Sequence, residues 1–484
     1  MNLNLDGKGV LYEQLARALK QAILSGRFVK GSRLPTTRAL ALVLGMSRNT
    51  VLNAYELLCA EQLVVPRAGS GTRVADVGAT SRTKKLSSVL PPQSRYVARA
   101  RALGPITLAT VNSRARYNLQ YGEPLLGLGL FNSWRRKLSA AALRAEPGYP
   151  APPGHLPLRR AICDHLARRR GIVCTPEDVL VVGGTQQALT IVARVLLDEG
   201  HMVVLEDPHY QLAMHALSAH GARIVSVPTD REGLVIHAMP KGAPRLIYVT
   251  PSHQFPSGAV MSVARRIELL DYAAGKGSWI FEDDYDAEFR FDGPSIPALR
   301  SIDTLDRVVY VGSFSKTLFA SLRLGYIVCP KALRNDLLRA KTLDDLACPA
   351  IEQAALAAFM QSRQFDKHLR KLVAELNVRR AALLEGLERR CRAHLEIAPS
   401  TGGMHIVAWL SDLNYAQLDQ LLALGASHGL GLHPIHPYFR SRPPRPGLLM
   451  GFAGLSGRQL RDATMLMGRC LDRISAQRCA RTAA

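Results

Sequence analysis

Three stretches in the first quarter of the chain repeat apolar residues at the spacing of amphipathic helices. They cover Leu11 to Ile23, Pro35 to Leu44 and Ser47 to Ala60. Thr36 or Thr37 is able to cap the second stretch, and Ser47 is able to cap the third. Short segments at 63–65 (Leu-Val-Val) and 72–74 (Thr-Arg-Val) then flank a glycine-rich tip, as in a β-hairpin. The pattern predicts three helices followed by a hairpin.

From about residue 115 the pattern changes to apolar runs that alternate with helical stretches. The clearest runs are 179–182, 202–205, 246–249, 279–281 and 308–311. Because these runs contain no polar interruption, they are typical of strands buried on both faces of a parallel sheet. The pattern therefore predicts an α/β domain with a mostly parallel sheet. Ligands of such sheets bind where the strands end, at their carboxyl edge.

The segment between these two patterns has no clean helical or strand period. It contains glycine, serine, a proline pair and many basic residues, which indicates a flexible, basic linker. We therefore predict a DNA-binding domain over 1–75, a linker over 76–114 and a large domain over 115–475. The linker is either a solvated tether or a segment that touches the DNA backbone. A short helix over Arg95 to Leu103 is left open.

The positive charge of the chain is concentrated near its start. The net charge is +23; residues 1–75 hold 10 Lys and Arg against 4 Asp and Glu, and residues 76–116 hold 8 against 1. Such an excess attracts polyanions, and DNA is a natural partner because binding releases its counterions. The third predicted helix begins with residue types that contact phosphates and base edges. A helix, a glycine-containing turn and such a helix are typical of a helix-turn-helix.

Other classes of protein are disfavoured by composition. The mean hydropathy is close to zero, no apolar run approaches the ~18 residues of a membrane span, and the first residues lack the apolar stretch of a signal peptide. The eight cysteines are scattered, with neither a paired motif nor clustered histidines. We expect a cytoplasmic protein without a metal site or disulfides.

Chemically versatile residues follow three of the predicted strands. Gly183 to Leu189 follows the first run and leads into a helix whose N-terminus suits a phosphate. Glu282 to Asp286 follows the fourth; its carboxylates suit a protonated ring nitrogen, a metal ion or a solvated acidic turn. Gly312 to Lys316 follows the fifth, and a desolvated lysine there can form a Schiff base. The hydroxyls of Ser313 and Ser315 and the guanidinium of Arg323 would suit the oxygens of a phosphate.

The N-terminal segment resembles the GntR family of winged-helix regulators. The matching stretches are Leu11 to Leu15, Arg33 to Arg38, Ser47 to Val51 and Gly69 to Thr72. The resemblance implies a winged helix-turn-helix that binds a double-stranded DNA operator. The implied DNA contacts are Arg38, Ser47, Arg48, Asn49 and Thr50, with the wing from Gly69 to Gly71 near the minor groove.

The large domain resembles fold-type I enzymes that use pyridoxal 5′-phosphate (PLP), the aspartate aminotransferase superfamily. The resemblance implies Lys316 as the catalytic, PLP-linked lysine, Asp283 as the partner of the ring nitrogen and Tyr285 as the partner of the ring oxygen. Tyr210 would stack on the ring, and a smaller C-terminal α+β subdomain would complete the fold. The implied phosphate ligands are Gly184, Thr185, Gln186, Ser313, Ser315 and Arg323.

The two halves together resemble the MocR/GabR subfamily of GntR regulators, whose members form head-to-tail homodimers. Where aminotransferases carry an asparagine that touches the ring oxygen, this chain has Phe255, so His253 or Gln254 is the candidate substitute. Leu449 and Leu212 stand where relatives place arginines that bind a carboxylate. Arg440, Arg442 or Arg445 could still reach the site.

The resulting hypothesis is a PLP-binding transcription regulator that senses either PLP itself or an amine or amino acid bound as a PLP aldimine. The missing arginines slightly favour PLP itself as the signal and disfavour GABA as the effector. The alternative is a working aminotransferase that carries a DNA-binding domain. A third possibility is a regulator whose large domain has lost PLP and serves only for dimerisation.

Overall fold

The computed structural model describes residues 3–67, 69–76, 92–104, 115–123, 125, 130–293 and 296–482, with the backbone alone for 477–482. The chain divides into two compact units, Met1–Pro92 and Gln93–Ala484. Each unit has its own apolar core.

The first unit is a three-helix winged domain. Its elements are α1 (Leu11–Leu24), α2 (Thr37–Leu44), α3 (Arg48–Ala60), β1 (Val64–Arg67) and β2 (Gly71–Val74). The two strands pair antiparallel. Thr36 caps α2 by accepting from the Ala39 amide at 3.2 Å, and Ser47 caps α3 by accepting from the Thr50 amide at 3.0 Å. The predicted helices and hairpin are therefore present.

The core of the first unit fixes α3 against the rest of the domain. Leu15 and Leu19 of α1 pack with Val51 and Ala54 of α3, and all four side chains are fully buried. The hydroxyl of Tyr55 donates to the Pro35 carbonyl at 2.8 Å, which ties α3 to the segment before α2. These contacts hold the polar N-terminal residues of α3 in place at the surface of the unit.

The second unit is built from eleven helices and thirteen strands within its described ranges. The helices are α4 (Arg95–Ala102), α5 (Leu130–Ala142), α6 (Leu156–Arg170), α7 (Thr185–Leu196), α8 (Gln211–Ala219), α9 (Val263–Lys276), α10 (Arg334–Asp345), α11 (Ala350–Gln361), α12 (Gln364–Cys391), α13 (Tyr415–Ser427) and α14 (Gly457–Thr482). The strands are β3 (Tyr117–Asn118), β4 (Val179–Val182), β5 (Met202–Asp207), β6 (Arg223–Asp230), β7 (Gly233–Leu234), β8 (Leu246–Val249), β9 (Trp279–Asp284), β10 (Val308–Ser313), β11 (Gly325–Val328), β12 (Leu395–Ile397), β13 (His405–Leu410), β14 (Leu430–Gly431) and β15 (Gly447–Gly451).

An eight-stranded, mostly parallel sheet forms the centre of this unit. Its strand order is β4-β11-β10-β9-β8-β5-β6-β7. Strands β10, β9, β8, β5 and β6 run parallel, whereas β11 runs antiparallel to both of its neighbours. Val311 of β10 lies beside Asp283 of β9. The carboxyl ends of these strands therefore meet at one edge of the sheet, as the sequence predicts.

Strands β9 and β10 extend beyond the apolar runs that predicted them. Strand β9 continues through Glu282 and Asp284, and β10 continues to Ser313. The acidic residues stay in the strand because buried partners satisfy them. Glu282 accepts from the amides of Leu299 and Arg300, each at 2.8 Å. Asp284 forms an ion pair with Arg170 at 2.8 Å. An apolar pattern contains no signal for such partners.

A smaller α+β subdomain follows the sheet. Strands β12, β13 and β15 form an antiparallel sheet, and helices α12 and α14 pack against each other beside it. Strand β3, from the start of the unit, pairs with β14. Within the described ranges, none of the helices combines the length and apolar character needed to cross a lipid bilayer.

The helix left open by the sequence forms as α4 and packs on α8. The Arg99 guanidinium donates to the Ala219 carbonyl at 3.0 Å and pairs with Glu199 at 3.2 Å. The Tyr96 ring meets His220 edge to face, with centroids 5.5 Å apart. Residues 77–91 and 105–114 of the predicted linker lie outside the described ranges.

The Arg170–Asp284 pair gives a test of the packing behind the sheet. Both side chains are almost fully buried, and Tyr310 also donates to Asp284 at 2.5 Å. We expect Arg170→Met to lower the free energy of unfolding by about 3–5 kcal/mol, because it leaves a buried carboxylate without its cation. Urea denaturation measures the change. Arg160→Met, at an exposed position of α6, should change stability by less than about 0.5 kcal/mol. Equal effects of the two substitutions would contradict this description.

Candidate functional site

A cavity of about 260 Å³ opens at the carboxyl edge of the main sheet. Strands β8, β9 and β10 and the N-terminus of α7 contribute to its wall, together with residues from distant parts of the unit. The lining residues are Tyr121, Gly122, Thr185, Gln186, Tyr210, Tyr248, Thr250, Phe255, Asp283, Tyr285, Ser313, Ser315, Lys316, Ala320, Arg323, Met404 and His405. Nine of the eleven residues expected at the cofactor are in this set; Gly184 and His253 are not.

One end of the cavity is suited to an anion. Helix α7 begins there after Gly184, which has a φ of 108° and provides no side-chain cap. A Cβ atom on Gly184 would lie 3.3 Å from Nη2 of Arg323, so the guanidinium lies directly against this backbone. The side chains of Thr185, Ser313 and Ser315 line the same cavity. Free helical amides, hydroxyls and a guanidinium are the groups that bind phosphate oxygens.

Asp283 provides a buried acid elsewhere in the cavity. Tyr248 donates to its carboxylate at 2.6 Å, and the Thr185 hydroxyl donates at 3.4 Å. Burial raises the pKa of Asp283 to about 7. Its neighbours Glu282 and Asp284 point to the opposite face, because side chains alternate along a strand. Within the part of the chain that the structure describes, Asp283 faces the cavity without an ion-pair partner, so it would favour a protonated nitrogen there.

Lys316 lies in the turn after β10 and reaches the same cavity. Its ammonium group donates to the Gly122 carbonyl. Burial lowers the pKa of Lys316, while the negative charges of Asp286, Glu123 and Asp283 oppose this effect. A lysine that loses its proton more easily is a better nucleophile toward a carbonyl carbon.

His253 lies one layer behind the position that the sequence suggests. Its Nδ1 atom is 3.0 Å from the Tyr285 hydroxyl, and it is Tyr285 that lines the cavity. The side-chain amide of Gln254 donates to the Pro208 carbonyl at 2.7 Å, so it anchors the loop after β5. Phe255, and not His253 or Gln254, lines the cavity. Any effect of His253 on a ligand is therefore indirect, through neighbours that line the cavity, such as Tyr285 and His405.

Aromatic residues form part of the cavity wall. Tyr210 precedes α8, and its ring packs nearly perpendicular to Phe255 with centroids 5.9 Å apart. The hydroxyl groups of Tyr121 and Tyr438 are hydrogen-bonded. Sequence reasoning predicted Tyr210 but did not select Tyr121, Tyr248, Thr250, Met404 or His405. Tyr248 and Thr250 lie at the end of β8, so their position at the carboxyl edge was a signal for them. The other three lie far along the chain from the strand-end motifs, so no local pattern connects them with the site.

The cavity contains little to bind a carboxylate. Leu449 is fully buried in an apolar cluster with Val407 and Ile435 and does not line the cavity. Arg442 lies over the Tyr415 ring at 4.4 Å, and Arg445 pairs with Glu396 at 2.6 Å. Among the described lining residues, only Lys316 and Arg323 carry a positive charge. Burial lowers the pKa of His405 to about 3, so this imidazole is neutral.

The first unit presents the predicted DNA-contacting residues at and near the start of α3. Arg38, Arg48 and Asn49 are exposed. The hydroxyls of Ser47 and Thr50 are 2.8 Å apart and serve the helix cap. Gly69 and Gly71, with φ of 75° and 80°, belong to the hairpin turn. Arg33, a residue that sequence reasoning did not select, lies with its guanidinium against Gly71.

Comparison with known proteins agrees with both units. Residues 11–74 match the gntR family of bacterial regulatory proteins, and residues 116–426 match aminotransferase class I and II. The chain is 36% identical over 482 residues to the probable rhizopine catabolism regulatory protein MocR of Rhizobium meliloti, covering 95% of this chain and 93% of that protein. This chain belongs to the MocR-type GntR regulators.

Two further relatives illustrate the range of this architecture. The pyridoxine biosynthesis regulator PdxR of Corynebacterium glutamicum is 28% identical to this MocR-type chain, and the match covers 91% of each. The crystal structure of LysN, the α-aminoadipate aminotransferase of Thermus thermophilus, superposes with a TM-score of 0.70 at 26% identity. That match covers 80% of this chain and 98% of LysN. The large unit therefore has the fold-type I aminotransferase architecture.

Proposed function

We propose that this protein is a transcription regulator that binds DNA through its first unit and PLP through its second. The occupancy of the cavity would then alter the affinity for DNA. The observation that carries the proposal is the combination in one cavity of Lys316, Asp283 and an anion-binding end. The first unit adds a rigid helix whose exposed start carries Arg48 and Asn49.

The residues of the cavity match the chemical groups of PLP. Lys316 would hold the cofactor through its amine, Asp283 would pair with the ring nitrogen, and Tyr285 would donate to the ring oxygen. The phosphate would lie between the N-terminus of α7 and Arg323. PLP supplies an aldehyde carbon and an electron-poor ring. The protein supplies a desolvated amine, a buried acid in the same cavity and aromatic side chains in the cavity wall.

The cavity favours PLP itself, rather than an amino acid, as the signal. An amino acid would require a guanidinium for its carboxylate. Leu449 is buried elsewhere, and Arg442 and Arg445 are engaged with Tyr415 and Glu396. Arg440, the third candidate, does not line the cavity. The similarity to PdxR, a regulator of pyridoxine biosynthesis, also supports PLP as the signal. An amine without a carboxylate is the other ligand class that this cavity suits.

A working aminotransferase is the second candidate, because LysN has the same fold and the cavity contains the lysine and aspartate that such enzymes use. Among the described lining residues, no arginine other than Arg323 at the anion-binding end is placed to bind a carboxylate, which argues against efficient turnover. The head-to-tail homodimer implied by the resemblance stays a prediction.

The first test measures the coupling between the two ligands. The probe is a fluorescent duplex that the wild-type protein selects from a random-sequence DNA pool. We expect PLP to change its dissociation constant about 5- to 150-fold at fixed salt, the usual range of such coupling. Lys316→Ala should bind the duplex but lose the PLP effect. Wild-type affinity that does not respond to PLP would overturn the sensing part of the proposal.

A second test concerns the anion-binding end. Gly184→Ala places a methyl group against the Arg323 guanidinium and should raise the dissociation constant of PLP by about tenfold, which corresponds to one lost charge-assisted hydrogen bond. Absorbance titration of the cofactor measures it. Gly200→Ala is the matched control, since Gly200 also has a positive φ (87°) but no atom lies within 4 Å of its added Cβ. Similar losses in both variants would indicate backbone strain instead.

A third test concerns the DNA surface. Arg48→Ala should weaken binding of the selected duplex by about 1–3 kcal/mol and flatten its salt dependence, because the variant loses a contact to phosphate or base. Fluorescence anisotropy at several salt concentrations measures both quantities. Lys8→Ala removes the same charge from an exposed position outside α3 and should have a much smaller effect. Equal effects would assign the binding to net charge alone.

A further inference from the structure

The side chain of Gln187 contacts the backbone at the anion-binding end of the cavity. Its Oε1 atom accepts a hydrogen bond from the Gly183 amide at 2.6 Å. Gly183 is the first residue after β4, whose last pair with β11 joins Val182 to Gly325. The Gln187 side chain therefore binds the amide that follows the end of the strand ladder. Gln187 itself does not line the cavity.

Two carboxylates hold the other end of the same side chain. The Nε2 atom of Gln187 donates to Oδ2 of Asp344 and to Oδ2 of Asp345, at 2.8 Å in both cases. A backbone amide can only donate and an ionised carboxylate can only accept, so these partners allow one orientation of the Gln187 amide group. Gln187 therefore connects the end of α10 with the turn between β4 and α7.

The two carboxylates stand where a helix disfavours negative charge. Asp344 and Asp345 are the last two residues of α10, and the C-terminus of a helix carries a partial negative charge. Cations compensate for this, since Arg194 pairs with Asp344 and the fully buried Lys341 pairs with Asp345. Helix stability alone does not account for two carboxylates at this place, whereas their contact with Gln187 gives them a role.

The turn that Gln187 holds also contacts the Arg323 guanidinium. A Cβ atom on Gly183 would lie 3.2 Å from Oε1 of Gln187, and one on Gly184 would lie 3.3 Å from Nη2 of Arg323. Gly184 has no side chain with which to cap α7. The first amides of α7 therefore lack a cap from this residue, and their direction depends on the backbone that leads into the helix.

We propose that Gln187, held by Asp344 and Asp345, is a positioning residue that directs the first amides of α7 toward the phosphate of PLP. This inference rests on the proposed function, because it assigns a role to residues outside the same cavity. Lys316 and Asp283 bind other parts of the cofactor in that function. Loss of Gln187 should therefore weaken the binding of the phosphate and leave the contacts to the aldehyde and the ring.

Gln187→Met in the full-length protein tests the proposal, because it removes both hydrogen bonds and keeps the length of the side chain. It should raise the dissociation constant of PLP, measured by absorbance titration, by about tenfold. Pyridoxal, which lacks the phosphate, is the second probe. Its reductive trapping on Lys316 with cyanoborohydride, followed by mass spectrometry, should keep a rate within twofold of wild type. Equal losses for PLP and pyridoxal, or no loss for PLP, would overturn the proposal.

Gln417→Met is the matched control. The Oε1 atom of Gln417 accepts from the Asn414 amide at 2.8 Å, so it makes the same kind of bond at the start of another helix, α13. Gln417 does not line the cavity. The affinity of this variant for PLP should stay within twofold of wild type. A loss as large as that of Gln187→Met would assign the effect to helix stability in general and overturn the proposal.

A double-mutant cycle tests the role of the carboxylates. Asp344→Ala should raise the dissociation constant of PLP by about threefold, because Asp345 still holds Gln187. In the Gln187→Met background the same change should have no effect, since the carboxylate acts through the glutamine. No loss in Asp344→Ala, or a loss that persists in the double variant, would contradict the role given to the carboxylates.

If Gln187→Met does not fold by circular dichroism, Gln187→Glu replaces it with the same criterion. Its carboxylate can accept from the Gly183 amide but is repelled by Asp344 and Asp345. Wild-type protein that binds no PLP would overturn the proposed function and this inference together. Losses shared equally by PLP and pyridoxal would overturn the inference alone, because wild-type binding would remain.

Discussion

Three adjacent carboxylates in one buried strand form the constraint on which the large unit depends. Buried carboxylates are destabilising unless hydrogen-bond donors or cations lie beside them. In β9 the alternation of a strand separates the three. Glu282 and Asp284 point to one face, where Glu282 accepts from two backbone amides and Oδ2 of Asp284 pairs with Arg170. Asp283 points to the other face, where its hydrogen-bond donors among the described residues are the hydroxyls of Tyr248 and Thr185. The fold thus leaves one acid that a cationic ligand would complete.

The rest of the cavity complements that acid. Strand β10 runs beside β9 and carries Lys316 just beyond its end, so the amine and the acid reach the same space. Helix α7 brings uncapped amides, and Arg323 brings a guanidinium against Gly184. A ligand with a carbonyl, a basic ring nitrogen and a phosphate matches these three features. The architecture is shared with aminotransferases, whereas the absence of a carboxylate site among the described lining residues distinguishes this cavity from one built for amino acids.

Much of this arrangement follows from local sequence. Continuous apolar runs predict the parallel strands, and the motifs after them predict Lys316 and Ser313 as candidate ligands, because ligands bind at strand ends. The choice of Asp283 among its acidic neighbours comes from the family resemblance. Local patterns do not reveal that β9 continues through its acids, since Arg170 lies more than a hundred residues earlier in the chain. They place His253 beside a ligand, although it lies behind Tyr285. They leave Arg442 and Arg445 as candidates, although aromatic rings and Glu396 engage them. In each case a contact distant in sequence decides the outcome.

The covalent attachment of PLP at Lys316 is the central claim, and chemical trapping tests it most directly. The full-length protein is incubated with PLP, reduced with borohydride, digested and examined by mass spectrometry. The account predicts a phosphopyridoxyl group on the peptide that contains Lys316, and no such group there in Lys316→Ala. Wild-type protein that carries no adduct at Lys316, or carries it only on other lysines, would contradict the account.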